Sequence, residues 1–242
     1  MSVGPETMKW LDWVSTTSIP LYRVDANDKP TGVASGCLVN IWQRKLLLSV
    51  SHATGVGQWV AEMRFDPAQD KTLLHYFGKQ WTVQHLDQSA SMQQELDFSF
   101  TETPADFFSL MQERGTGGEI VSERRRHAFD TTLEDLPTKE GVYAFTGRVR
   151  PEQLDELTFW SEPTVYPGLR YERTNGNYHI FSLPVPHPGH DAFQGCSGAP
   201  IVDCSGKVVA LVCSGDIGSN TITGIAVQHL SRAIHAHLFT RA

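Results

Sequence analysis

Short stretches of β-branched, aromatic and aliphatic residues alternate with polar turn segments along most of the chain. In the first half they are Ile19 to Val24, Val33 to Trp42, Lys45 to Ser51, Trp59 to Phe65, Thr72 to Phe77, Gln80 to Leu86 and Asp97 to Thr101, interrupted by Asp25-Ala26-Asn27-Asp28 and Gln43-Arg44. Runs of this length and composition predict strands, about six in this half, and Gly78-Lys79 is expected to form a two-residue hairpin loop. In the second half the pattern recurs at Val142 to Gly147, Leu157 to Trp160, Tyr171-Glu172, Tyr178 to Leu183, Pro200 to Asp203, Lys207 to Ser214 and Thr221 to Val227. Asn175-Gly176 is a strong hairpin signal, because both central residues of a type I′ turn need positive φ. The stretch between Pro104 and Glu140 breaks the pattern: Ala105 to Arg114 is expected to be a short helix, and Glu123 to His127 a solvated charged loop. Leu230, Ile234 and Leu238 fall on one face of a closing helix.

Composition narrows the function classes. The 242 residues carry a net charge of −7, which provides no basic field for nucleic acid or anionic lipid, so neither is expected as a partner. The longest apolar run near the C-terminus, Val208 to Cys213, is far short of the ~20 residues of a membrane span. The first residues show no secretory signal pattern. Cysteines at 37, 196, 204 and 213 lack metal-type pairing and do not form a disulfide framework, so they read as reduced thiols of a cytoplasmic protein. His179, His187 and His190 have no matching ligand spacing, and neither a metal nor another cofactor is expected.

The chemistry concentrates in Asp191-Ala192-Phe193-Gln194-Gly195-Cys196-Ser197-Gly198-Ala199-Pro200. A serine between glycines has a backbone free to make a tight turn that exposes its hydroxyl beside successive N–H donors. Serine needs a base, and the base an orienting group. His52, directly after a strand, and Asp97, opening Leu96-Asp97-Phe98-Ser99, are the candidates, and Cys196 is read as small buried filler rather than a nucleophile.

The chain order His52, Asp97, Ser197 and three local motifs resemble the trypsin or chymotrypsin family. Val50-Ser51-His52-Ala53 resembles its T-A-A-H-C motif, Leu96-Asp97-Phe98-Ser99 its D-I-A-L motif, and Gly195-Cys196-Ser197-Gly198-Ala199-Pro200 its G-D-S-G-G-P motif. Val212-Cys213-Ser214-Gly215 resembles the substrate-binding V-S-W-G strand. The resemblance implies an all-β fold of two six-stranded antiparallel β-barrels with a C-terminal helix. It divides the chain into a first barrel within 1–104, a linker with a short helix at 105–140, a second barrel at 141–228 and the helix at 229–242. It implies a serine endopeptidase acting on protein or peptide substrates through an acyl-enzyme. Ser197 is the implied nucleophile, His52 the base and Asp97 its orienting partner, with the N–H groups of Gly195 and Ser197 as the oxyanion hole. Asp191, Cys213, Ser214, Gly215 and Gly224 would bind substrate, and Asp191 at a pocket floor would favour Arg or Lys at P1.

The departures carry expectations too. Cys196 replaces an aspartate that pairs with a newly cut N-terminus in secreted relatives, so the oxyanion loop must be ordered another way, and a regulatory or activating protein is one expectation. Cys213 replaces a serine hydroxyl near the aspartate, and a thiol is a weaker donor. A catalytically weak trypsin-like fold serving as a protein-binding module is therefore the alternative. An α/β-hydrolase is excluded by chain order. If Arg is accepted at P1, the Glu123 to His127 run is also a candidate for self-cleavage.

Overall fold

A computed structural model describes residues 5–69, 71–87, 92–116, 119–153, 159–189 and 193–239. After a helix, α1 (Pro5–Val14), come seven strands: β1 (Ile19–Val24), β2 (Pro30–Ile41), β3 (Arg44–Ser49), β4 (Gln58–Asp66), β5 (Lys71–Tyr76), β6 (Trp81–Asp87) and β7 (Met92–Glu102). A single helical turn, α2 (Ser51–Thr54), follows β3. The sheet order is β5-β4-β1-β2-β3-β7-β6, one strand more than expected, and β10 (Ala128–Asp130) adds in parallel to β2. The second half, β11 (Tyr143–Gln153), β12 (Phe159–Asn175), β13 (Tyr178–Ser182), β14 (Pro200–Asp203), β15 (Val208–Asp216) and β16 (Thr221–Ala226), closes into a six-stranded barrel in the order β11-β12-β13-β16-β15-β14. The last described element is α3 (Ser231–Phe239); Ile234 within it and Leu230 just before it are buried, as their spacing predicts.

The apolar runs have a simple cause. In a strand, alternate side chains face opposite ways, and β2 and β3 are covered on both faces. Ala34, Leu38 and Leu47 fill the interior of the first half, with Ile19, Leu21 and Trp59. Cys37, Val39, Leu46 and Leu48 face the seam, with Phe98, Ala144, Val202, Leu211, Leu230 and Ile234. A separate core of Phe145, Leu169, Phe181, Cys196, Ile201 and Ile222 fills the second barrel. Each fully buried Leu is worth roughly 1.5–3 kcal/mol, so the seam is a substantial bond between the halves rather than a surface contact.

Four local expectations are corrected. Gly78-Lys79 closes no hairpin: β5 pairs with β4 and β6 with β7, at opposite ends of the sheet path. Phe77, 5% exposed, is drawn into the core, and its N–H donates to the Trp59 carbonyl at 3.3 Å, which carries the chain past the turn. The helix expected over Ala105 to Arg114 is replaced by an extended entry and the hairpin β8 (Leu110–Arg114) and β9 (Ile120–Arg125). Phe107 is buried in the first core, and Lys45 Nζ donates to the carbonyls of Ala105 and Phe107 that a helix would have used. Glu123 to Arg125 belong to β9 rather than to a loop, and Arg126 is only 7% exposed with a guanidinium bond to the Ser18 carbonyl at 2.8 Å, so the basic run is a poor cleavage site. The turn signalled by Asn175-Gly176 lies one residue later, since Asn175 pairs with Tyr178. Gly176, φ 57°, occupies the first central position, as in a type II′ turn.

Gly224 on β16 lies against the second core: a Cβ there would meet the Ala210 Cβ and Ile201 Cδ1 at 2.9 Å. Gly224→Ala is expected to cost about 1–3 kcal/mol through overpacking. Urea unfolding measures this, and an unchanged midpoint would mean that the barrel interior has room to spare.

Candidate active site

His52, Asp97 and Ser197 come from three separate segments and meet. The chain leaves β3 at Ser49 and turns into α2, where the Thr54 hydroxyl donates to the Val50 carbonyl at 3.0 Å or bonds the Ser99 hydroxyl at 2.6 Å. That anchors the turn bearing His52 onto β7. On β7 the pairing with β6 slips between Thr82↔Ser99 and Val83↔Leu96, so Asp97 and Phe98 form a bulge. Bulges re-aim side chains: Leu96 and Phe98 are buried in the seam while the Asp97 carboxylate reaches the histidine.

The geometry is a continuous relay. Asp97 Oδ2 lies 2.7 Å from His52 Nδ1, and His52 Nε2 lies 3.0 Å from Ser197 Oγ. Asp97 Oδ1 accepts from the His52 backbone N–H at 2.9 Å and from the Ser51 hydroxyl at 3.1 Å. With its carboxylate so engaged, Asp97 fixes both the ring orientation and the tautomer, leaving Nε2 to face the serine. Burial alone would push the Asp97 carboxyl up. The bonds from the His52 ring and backbone, the His52 charge and the Cys213 thiol outweigh it and hold the group below the ordinary carboxylate range. The Cys213 thiol is itself raised well above its ordinary value by burial and then by the Asp97 charge, so it remains protonated.

Ser197 sits in a turn tied to both halves. Its carbonyl accepts from the Ser35 N–H at 2.9 Å, the Ser35 hydroxyl donates to the Gly195 carbonyl at 2.8 Å, and the Ser49 hydroxyl donates to the Ser35 carbonyl at 2.8 Å. On the other side, the Gly198 N–H donates to the Val212 carbonyl at 2.8 Å. Gly195 and Gly198 have φ of 97° and 89°. A Cβ on Gly195 would fall 2.2 Å from the Arg148 carbonyl, and one on Gly198 would fall 2.1 Å from the Ser35 carbonyl. Both positions therefore require glycine. Cys196 between them is fully buried in the second core, and its Sγ lies where a Cβ on Gly147 would come within 2.7 Å. The loop is thus ordered by an apolar plug and serine hydrogen bonds. Among the described residues, the N–H groups of Gly195 and Ser197 donate to no acceptor, which leaves two donors flanking the hydroxyl.

The remaining candidates divide. Cys213 lies against Asp97, and Ser214 and Gly215 are exposed on β15. Gly224 faces the barrel interior, so its expected place on a pocket wall is corrected: Ile222 stands opposite Gly215, its Cδ1 3.2 Å from where a Cβ would be. Asp191 and His190 lie outside the described residues. His179 is a core histidine, bonded to Thr174 at 2.8 Å and Gln228 at 3.1 Å. All four cysteines are free. Ser51 and Tyr178 were not legible as site residues. The only signal for Ser51 was its place beside His52, and Tyr178, whose hydroxyl bonds the Asp97 backbone, had none.

No protein-family model matches the chain, and no curated protein matches it. Solved structures do. A serine endoprotease from Yersinia pestis aligns with TM-score 0.58 and 11% identity over 97% of this chain and 67% of that one. Neuropsin, a serine protease of mouse brain, aligns with TM-score 0.57 and 10% identity over 93% and 96%. Human heparin binding protein aligns with TM-score 0.52 and 10% identity over 98% and 94%. The chain has the trypsin-like serine protease fold. At this identity the likeness concerns the fold, which hosts more than one function.

The Asp97 shift has a sign. A carboxyl whose folded-state pKa is depressed adds stability above its unfolded value, about 3.9, and loses it as pH falls through the folded value. Asp97→Asn should therefore destabilise at pH 7 and converge on the wild type as pH drops below 4. Paired urea titrations test this, and a stability difference independent of pH would contradict it.

Proposed function

We propose that this protein is a serine endopeptidase of protein or peptide substrates, working through His52, Asp97 and Ser197 and an acyl-enzyme intermediate. The carrying observation is the relay of 2.7 Å and 3.0 Å across three segments 45 to 145 residues apart. In this reading His52 Nε2 takes the proton as Ser197 Oγ attacks the scissile carbonyl. The imidazolium is stabilised by Asp97, and the tetrahedral oxyanion is bound by the Gly195 and Ser197 N–H groups. His52 then returns the proton to the leaving amine, and water repeats the sequence on the ester. Each oxyanion donor contributes about 3 kcal/mol in such sites. Ser35 and the buried Cys196 hold this loop in the arrangement the reading requires, and a regulatory protein remains part of the proposal.

Substrate backbone would lie along Ser214 and Gly215, with the P1 side chain beside Gly215. That space is occupied: His187 Nε2 lies 2.3 Å from a Cβ built on Gly215. The preference for Arg or Lys implied by Asp191 therefore requires His187 to leave, which makes it a gate on the pocket. His187→Ala is expected to raise kcat/KM for Arg-P1 peptides about tenfold, a difference of about 1.4 kcal/mol. A P1-scanning library on both proteins reads this, and an unaltered P1 profile would remove the gate.

Four free cysteines, three of them buried, support a reducing compartment such as the cytoplasm. Among the described residues, no helix is long and apolar enough to cross a membrane. Fluorophosphonate labelling tests the central reading. One adduct on Ser197, absent in Ser197→Ala and strongly slowed in Asp97→Asn, is expected. No adduct under any condition would favour the protein-binding module, the reading that the weak thiol at Cys213 supports.

A further inference from the structure

At the end of β3 remote from His52 lies a cleft of about 400 Å³ whose lining includes Asn40, Lys45, Phe107, Phe108, Arg125 and Arg126. Lys45 lies at the start of β3 and His52 beyond its far end, with the strand rising about 3.3 Å per residue between them, so this cleft is separate from the relay. Its basic charge runs against that of the whole chain, which is net −7. Three full cations border it.

Their donors are only partly used. Lys45 Nζ, with three N–H bonds, gives two to the carbonyls of Ala105 and Phe107. Arg125 is exposed, with its guanidinium carbon 5.8 Å from the Phe108 ring, and has no carboxylate partner among the described residues. Arg126 is 7% exposed, its Nη1 bonds the Ser18 carbonyl, and its buried Nε–H has no acceptor among the described residues. Burial and then the Arg148 charge draw Arg126 down to about 10, against the pull of Glu62 and Tyr22. Lys45 is likewise lowered, by burial and then by Arg125, with Asp106 opposing. The carboxylates around these cations are already engaged: Glu62 acts on Arg126, Asp106 acts on Lys45, and Asp130 is held by the Asn40 amide at 2.8 Å.

We propose that this cleft binds a phosphate-type oxyanion, with the third Lys45 proton and the Arg125 guanidinium as its donors. A tetrahedral dianion presents acceptors in several directions and suits convergent Arg and Lys donors. The Phe107 and Phe108 rings and a volume well above that of one ion leave room for an organic body carrying the phosphoryl group.

The test is calorimetric titration of the full chain at fixed ionic strength with inorganic phosphate, AMP and citrate. Arg125→Gln and Lys45→Met are compared with Lys207→Gln in the second barrel, and circular dichroism confirms folding of each. Saturable phosphate binding, weakened about tenfold or more in Arg125→Gln and Lys45→Met and kept in Lys207→Gln, is expected. AMP binding about tenfold tighter than phosphate would identify a phosphorylated small molecule as the ligand class, and equal affinity the free ion. Absence of saturable phosphate binding, binding of citrate alone, or affinity indifferent to Arg125 and Lys45 would overturn the proposal. None of these outcomes depends on whether Ser197 is a nucleophile.

Discussion

The double duty of β2 is the constraint on which the site depends. One face of this strand fills the first core through Ala34 and Leu38, and the other fills the seam through Cys37 and Val39. Between them Ser35 gives its N–H to the Ser197 carbonyl and its hydroxyl to the Gly195 carbonyl. The position of the hydroxyl relative to the imidazole is therefore fixed by the register of the packed seam rather than by the flexibility of the glycine-rich turn. A shift of one residue in β2 would turn Ser35 away and expose its apolar neighbours, so the same interactions that stabilise the pair of halves enforce the relay.

This arrangement explains how an unusual sequence at position 196 is tolerated. A buried thiol needs no counter-charge, and burial raises Cys196 far from ionisation. Filling the space left by Gly147, it fastens the loop by packing alone. The thiol of Cys213 is a weak donor to Asp97, and the Ser51 hydroxyl and the Tyr178 hydroxyl share the work of holding that residue. The charged cleft and the relay occupy opposite ends of β3, so a single strand connects two chemically distinct regions.

Much of this was legible in the residues. The doubly buried strands announced themselves as continuous apolar runs, Cys37-Leu38-Val39 and Leu46-Leu47-Leu48, and the Gly-Cys-Ser-Gly segment indicated a turn with an exposed hydroxyl. What escaped depended on partners distant in sequence. Gly78-Lys79 has hairpin composition, yet the Phe77 side chain and N–H are captured by the first core. Ala105 to Arg114 has helix-compatible residues, yet Lys45, some sixty positions earlier, takes the carbonyls. Gly224 was misassigned because a glycine required by core packing and one required by a pocket look alike in sequence.

The most direct test of the account is proton NMR of the His52 ring at low temperature. A carboxylate 2.7 Å from Nδ1 should produce one strongly downfield proton in the wild type, retained in Ser197→Ala and lost or moved far upfield in Asp97→Asn. Downfield spectra identical in the wild type and Asp97→Asn would contradict the relay.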